Sequence, residues 1–181
     1  MHSKFGSVLV MSGIVAMAVG CGTTGNPKTA TTSSQQNRWL TYNTSDKVAT
    51  IKLDANYNNT DGGMNFNGYS NGAMQITVPQ GWKVKVSFKN DNLSLAHSAM
   101  FVPYEQRTNT NFFASNVSFS GATTPDASFG TTGNVTQIFS FTADKIGKYA
   151  IVCGVAGHAA MGMWDTFVVS GSSGAPSITT K

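Results

Sequence analysis

From residue 39 onward the chain contains two histidines, His97 and His158, and one thiol, Cys153. A neutral imidazole offers a nitrogen donor, and a thiolate offers a soft anionic sulfur. One thiol forbids a disulfide within this stretch, because two sulfurs are needed. Two histidines are too few for most catalytic zinc sites or for many-histidine copper clusters. Two imidazoles and a thiolate in a plane, with a weak axial thioether, are the ligand set of type-1 copper. The local spacing meets that demand: His158 follows Cys153 in a glycine-rich run that ends in Met161 and Met163. A Cys ending one strand, a His at the loop apex and a Met opening the next strand can reach one ion together. Gly154, Gly157 and Gly162 allow the backbone angles that such tight wrapping requires. The remaining nitrogen donor is His97, just ahead of a strand over residues 98–102. Taken singly, a buried Cys is most often a small hydrophobe and a lone His a satisfied core residue. Every His and every thiol of this stretch falling into one pattern favours the metal.

Strands must position these donors. Val48, Thr50 and Lys52 alternate with Ala49, Ile51 and Leu53 in period two, and residues 74–78 do the same. A Pro79-Gln80-Gly81 turn follows. Next, Trp82, Val84, Val86 and Phe88 share one face, while Lys83, Lys85, Ser87 and Lys89 share the other. That reads as a half-buried antiparallel strand. Further runs cover residues 99–102, 117–120, 135–142, 148–152 and 164–170, with a short turn over 107–113. The expected fold is all-β, a Greek-key β-sandwich or barrel of seven or eight short strands.

Length and composition agree with one domain. The chain has 181 residues, of which 40% are hydrophobic and 11% charged. The 12 Lys+Arg and 8 Asp+Glu give a net charge of +4, and the basic residues are scattered. No nucleic-acid partner is therefore expected. The start differs from the rest. Lys4 precedes an apolar stretch over residues 8–19, short for a spanning helix and suited to a signal peptide over residues 1–20. It closes on Ala18-Val19-Gly20-Cys21, similar to the lipobox of bacterial lipoproteins, in which the Cys is lipidated. Residues 21–38, beginning at Cys21, lack large apolar side chains until the end and read as a flexible linker. The domain is expected over residues 39–173, followed by a C-terminal tail over 174–181. Five Asn-x-Ser/Thr sequons, at Asn43, Asn58, Asn92, Asn116 and Asn134, permit glycosylation.

The run Gly147-Lys148-Tyr149-Ala150-Ile151-Val152-Cys153, then Gly157-His158, then Gly162-Met163-Trp164, resembles the copper-binding end of the cupredoxins. The Cys-x4-His-x4-Met loop is that of the rusticyanins and sulfocyanins. The string CGVAGHAAMGMWDTFVVS is most similar to the sulfocyanins, archaeal and acidophile members of that group. The resemblance covers residues 39–170. By position it implies one type-1 copper ion held by His97, Cys153, His158 and axial Met163. Met161 competes for the axial place, but only two residues separate it from His158. Ser98 is implied as the residue that hydrogen-bonds across to the Cys region and fixes the loop. Sulfocyanins are associated with a membrane-anchoring N-terminal segment; here a lipobox takes that place.

The implied role is a one-electron carrier rather than an enzyme, with no small-molecule substrate. His158 is the expected port, within a flat uncharged patch of Ala156, Gly157, Ala159, Ala160 and Met161. Phe101, Phe139 and Phe141 are candidates to keep the sulfur dry. Partners would be redox proteins such as a cytochrome or terminal oxidase, outside the cytoplasmic membrane to which Cys21 ties the chain. Few carboxylates leave little acid-labile stability, which points to an acidophile's respiratory chain. The alternative is an extracytoplasmic copper chaperone or store using Met100, Met161 and Met163.

Overall fold

The computed structural model describes His2 and residues 38–181. Cys21, and the leader and linker apart from His2 and Arg38, lie outside the described residues.

Among the described residues nine strands form two sheets. The first contains β1 (Leu40–Asn43), β2 (Val48–Ala55), β4 (Lys83–Asn90) and β6 (Thr136–Thr142), in the order β1-β2-β4-β6. The second contains β3 (Met74–Pro79), β5 (Met100–Pro103), β7 (Gly147–Val152), β8 (Trp164–Ser170) and β9 (Ser177–Thr180), in the order β5-β7-β8-β3-β9. Each sheet has one parallel pair, β2 with β4 and β3 with β8. The expected all-β sandwich is therefore observed. The expected purely antiparallel setting of β4 is not, because β4 runs parallel to β2 and antiparallel to β6. Alternation alone does not distinguish these two pairings.

Period-two alternation builds the interior. Ile51 and Leu53 of β2, Val84, Val86 and Phe88 of β4, and Phe139 and Phe141 of β6 face inward. Ile76, Phe101, Ile151 and Phe167 face them from the second sheet. Phe101 sits 4.7 Å from Phe141 and 5.0 Å from Phe167 between ring centroids, so the middle of the sandwich is aromatic. Truncating one of these rings to Ala costs about 3–5 kcal/mol. The opposite face of β5 and β7 is also covered: Met100, Val102, Ala150 and Val152 pack with Phe112, Ala127 and Ala159. Both faces are thus dry where the strands approach the site.

Three segments differ from expectation. Residues 117–120 form no strand. Phe119 instead drops into the core and stacks on Phe141 at 5.1 Å, while Ser118 donates one backbone bond to Phe101. Side-chain insertion here replaces ladder formation. The turn expected over 107–113 is bracketed by short 3-10 turns at Tyr104–Gln106 and Ala114–Asn116. Finally, the expected tail contains β9, which completes the edge of the second sheet by pairing antiparallel with β3. Its Ser-Ile-Thr-Thr carries one large apolar residue, Ile178, so the open edge of β3 decides its conformation.

Candidate metal centre

Alternation along β7 points Tyr149 and Ile151 between the sheets, and Cys153, one step past the strand end, continues that series. Met163 stands immediately before β8, and a bond from Cys153 N to Met163 O at 3.1 Å closes the neck of the loop. Within the loop, His158 N donates to Val155 O at 3.1 Å and Met163 N to His158 O at 3.0 Å. Gly157 and Gly162 take φ of +83° and +102°, where a side chain would be strained. The glycine requirement read from the loop is thus met at these two positions.

His97 arrives from the segment between β4 and β5. It is bonded both ways to Thr131, at 3.0 and 2.9 Å. Buried Asn90, at the end of β4, ties this segment down by donating to Leu95 O at 2.9 Å and to Thr131 O at 2.5 Å. The sequence reading missed Asn90; its only signal was an Asn in a strand-end position whose neighbours alternate into the core.

The three donors converge. Cys153 Sγ is 3.4 Å from His158 Nδ1 and 3.9 Å from His97 Nδ1. All three ligand atoms lie within 4.8 Å of one another. The imidazole rings stand 5.0 Å apart at 56°. His97, Cys153 and Met163 are fully buried, and His158 retains only 5% exposure. Met163 shares the core cluster of Cys153, whereas Met161 is 56% exposed. The two methionines thus differ in burial, Met163 inside and Met161 outside.

Burial sets the protonation. It pushes the His97 imidazole down to about 4, with the nearby His158 charge adding to the effect. The His158 imidazole is lowered by burial as well. Burial raises the Cys153 thiol, opposed by the Ser98 and Val155 backbone N–H groups and the Ser98 side chain. The His97 imidazole therefore stays neutral and able to ligate down to about 4, His158 is shifted in the same direction, and a cation must displace one thiol proton.

Ser98 lies between the two ligand segments. Its N–H donates to Cys153 Sγ at 3.4 Å and its Oγ donates to Ala127 O at 2.7 Å. The same Oγ accepts from Gly154 N at 2.8 Å. A small hydroxyl thus joins the first-histidine segment to the thiol segment.

Two nitrogens and a thiolate in a dry pocket suit a soft or borderline ion, and the absence of a fourth strong donor in this cluster disfavours structural zinc. The residues fit one type-1 copper ion. Phe101, expected near the sulfur, shares its core cluster together with Phe139 and Phe141. At the surface, Ala156, Ala160 and Met161 are exposed and Gly157 is half-buried. Ala159 is a correction: it is buried against Met100, Val102 and Phe112, because the turn after His158 rotates it inward. Two exposed aromatic residues that periodicity did not flag lie on segments that touch the copper loop. Gly157 N donates to Thr110 O at 2.7 Å, bringing the 108–113 segment alongside, and Phe113 there is 69% exposed. Phe129, 78% exposed, precedes Gly130, whose backbone abuts the His97 carbonyl and Val155.

A two-sheet sandwich with a His-Cys-His cluster at one end defines a cupredoxin. The "Sulfocyanin (SoxE) domain" family matches residues 34–180. Sulfocyanin of Sulfolobus acidocaldarius is 31% identical over 140 residues, covering 75% of this chain and 70% of that protein. The chain belongs to the sulfocyanin family. Among solved structures, auracyanin A of Chloroflexus aurantiacus, described as a blue copper protein, superposes with a TM-score of 0.50 at 22% identity. That match covers 68% of this chain and 99% of auracyanin A, and supports the fold. Rusticyanin of Thiobacillus ferrooxidans is a weaker likeness, with a TM-score of 0.43 at 20% identity over 68% of this chain and 82% of that one.

Proposed function

We propose that the chain carries single electrons between respiratory proteins on the outer face of the cytoplasmic membrane of an acidophile. The copper ion would be held by His97 Nδ1, His158 Nδ1 and Cys153 Sγ, with Met163 as the axial donor. The observation that carries this reading is the closure of the site. All four side chains are at most 5% exposed, so none is left free to meet a substrate. When bound, copper supplies a one-electron couple that needs little ligand rearrangement. His158 alone among the four retains any exposure, and its loop neighbours Ala156, Ala160 and Met161 are exposed and uncharged. Such a surface suits brief docking to a cytochrome or terminal oxidase.

The acid setting is supported by the few carboxylates and by the depressed imidazole of His97. Attachment to the membrane rests on the Cys21 lipobox. Among the described residues no helix is long and apolar enough to cross a membrane. The direct experiment loads the domain with copper, cycles it between oxidised and reduced forms, and lowers the pH while following the visible band. Reversible one-electron cycling with colour kept below about pH 5 is expected. Bleaching near that pH contradicts the acid habitat, and irreversible reduction contradicts the carrier.

A further inference from the structure

Residues 56–73 join β2 to β3 and are held by buried asparagines and isolated bridges at Phe66 rather than by a continuous ladder. Buried Asn65 accepts from Tyr57 N and Gly68 N and donates to the carbonyls of Asn58 and Thr60. Buried Asn67 accepts from Asp54 N at 2.7 Å and donates to Lys52 O at 2.9 Å. At the far end of the loop, the Asp61 carboxylate accepts from Ser70 Oγ and, at 2.9 Å, from Asn71 Nδ2. Asp61 and Asn71 both take positive φ, 49° and 53°, an uncommon conformation that Asn and Asp tolerate best after glycine.

This rigid loop rests on the copper-loop exit. Asn71 N donates to Gly162 O at 2.9 Å, and Gly72 N donates to Trp164 O at 3.0 Å. The two carbonyls belong to the residues on either side of Met163. The side chains interlock as well. A Cβ on Gly162 would lie 2.6 Å from Asn71 Nδ2, and one on Gly72 would lie 2.6 Å from the Trp164 ring. Two backbone bonds and two close approaches therefore straddle one residue.

We infer that the Asp61–Asn71 clasp is a clamp that sets the position of Met163, making Asp61 and Asn71 positioning residues for the axial sulfur. The inference rests on the reading of Met163 as the axial donor. Met163 N bonded to His158 O and Met163 O bonded to Cys153 N fix the residue within its own loop. The clamp adds an outside reference, because residues 71 and 72 belong to the segment leading into β3, which is paired with β8 along residues 75–79. Loss of the clasp leaves β8 intact and frees the turn just ahead of it.

The test compares Asp61→Ala and Asn71→Gly with Val78→Ala, a core truncation remote from the clamp. Asn71→Gly keeps the backbone able to hold its positive φ and removes only the side chain. In the copper-free protein, amide exchange at positions 71, 72 and 163 is expected to quicken about tenfold in the two clasp variants and not selectively in Val78→Ala. With copper bound, the ratio of the two visible charge-transfer bands, which follows the strength of the axial bond, is expected to shift in the clasp variants alone. If exchange at position 163 is unchanged in both clasp variants, the clamp is wrong. If exchange quickens and the band ratio stays at the parent value, the positioning role is overturned. Met163→Leu then distinguishes that outcome from failure of the axial assignment, since it alters the bands only if Met163 is the donor.

Discussion

The Ser98 N–H points at the Cys153 sulfur, 3.4 Å away, from a residue whose hydroxyl bonds both Ala127 O and Gly154 N. The sulfur thus receives a backbone donor that the Ser98 hydroxyl, itself 3.8 Å from the sulfur, holds in place. A fixed dipole aimed at the sulfur favours whichever redox state carries more negative charge.

Ser98→Ala should therefore lower the reduction potential. Two buried backbone partners lose their hydrogen bonds, at a cost of about 2 kcal/mol. Voltammetry and denaturant unfolding measure the two effects separately. An unchanged potential would assign Ser98 to stability alone.

Met161→Ala should leave the visible spectrum untouched and stability within about 0.5 kcal/mol, because Met161 is exposed. Met163→Leu should keep a coloured site but raise the potential, since a lost thioether stabilises the oxidised ion less. The reverse outcome would exchange their roles.

Most strands, and Cys153 with His158, were legible because alternation and a His/Cys/Met spacing are local signals, whereas His97 followed as the remaining histidine. The preference for Met163 over Met161 follows from the family resemblance together with the short chain between His158 and Met161. Phe119 was misread as part of a strand because its destination, the face of Phe141, lies on a distant β6. β9 was missed because a single Ile178 among Ser and Thr carries no period. Ala159 was placed on the surface since small apolar residues look alike whether they face solvent or Met100. The Asn65 and Asn67 networks resemble an ordinary polar loop because the groups they bond are backbone N–H and C=O, which carry no side-chain signal.

Copper-free protein should lose stability as pH falls from about 6.5 to about 4. The folded state holds His97 neutral down to about 4, against an ordinary value of 6.5, so the unfolded chain binds the extra proton in that window. Urea midpoints measured across the window check the slope, and His97→Asn should flatten it.

Asp165 acts in the opposite sense. It is buried on β8, accepting from Met74 N at 2.9 Å, and burial raises its carboxyl well above the ordinary 3.8. Its contribution to stability is present below 3.8 and is lost as pH rises through the raised value. The stability difference between Asp165→Asn and the parent should therefore move in favour of the variant as pH rises from acid to neutral. A pH-independent difference would contradict a raised carboxyl.

Cys153→Ser, mixed with copper(II) and examined by visible absorption, bears most directly on the whole account. A folded, colourless protein with no reversible couple is the expected result, against an intensely coloured parent. A variant that kept the parent's band and its couple would show that the thiolate is not the centre of this site.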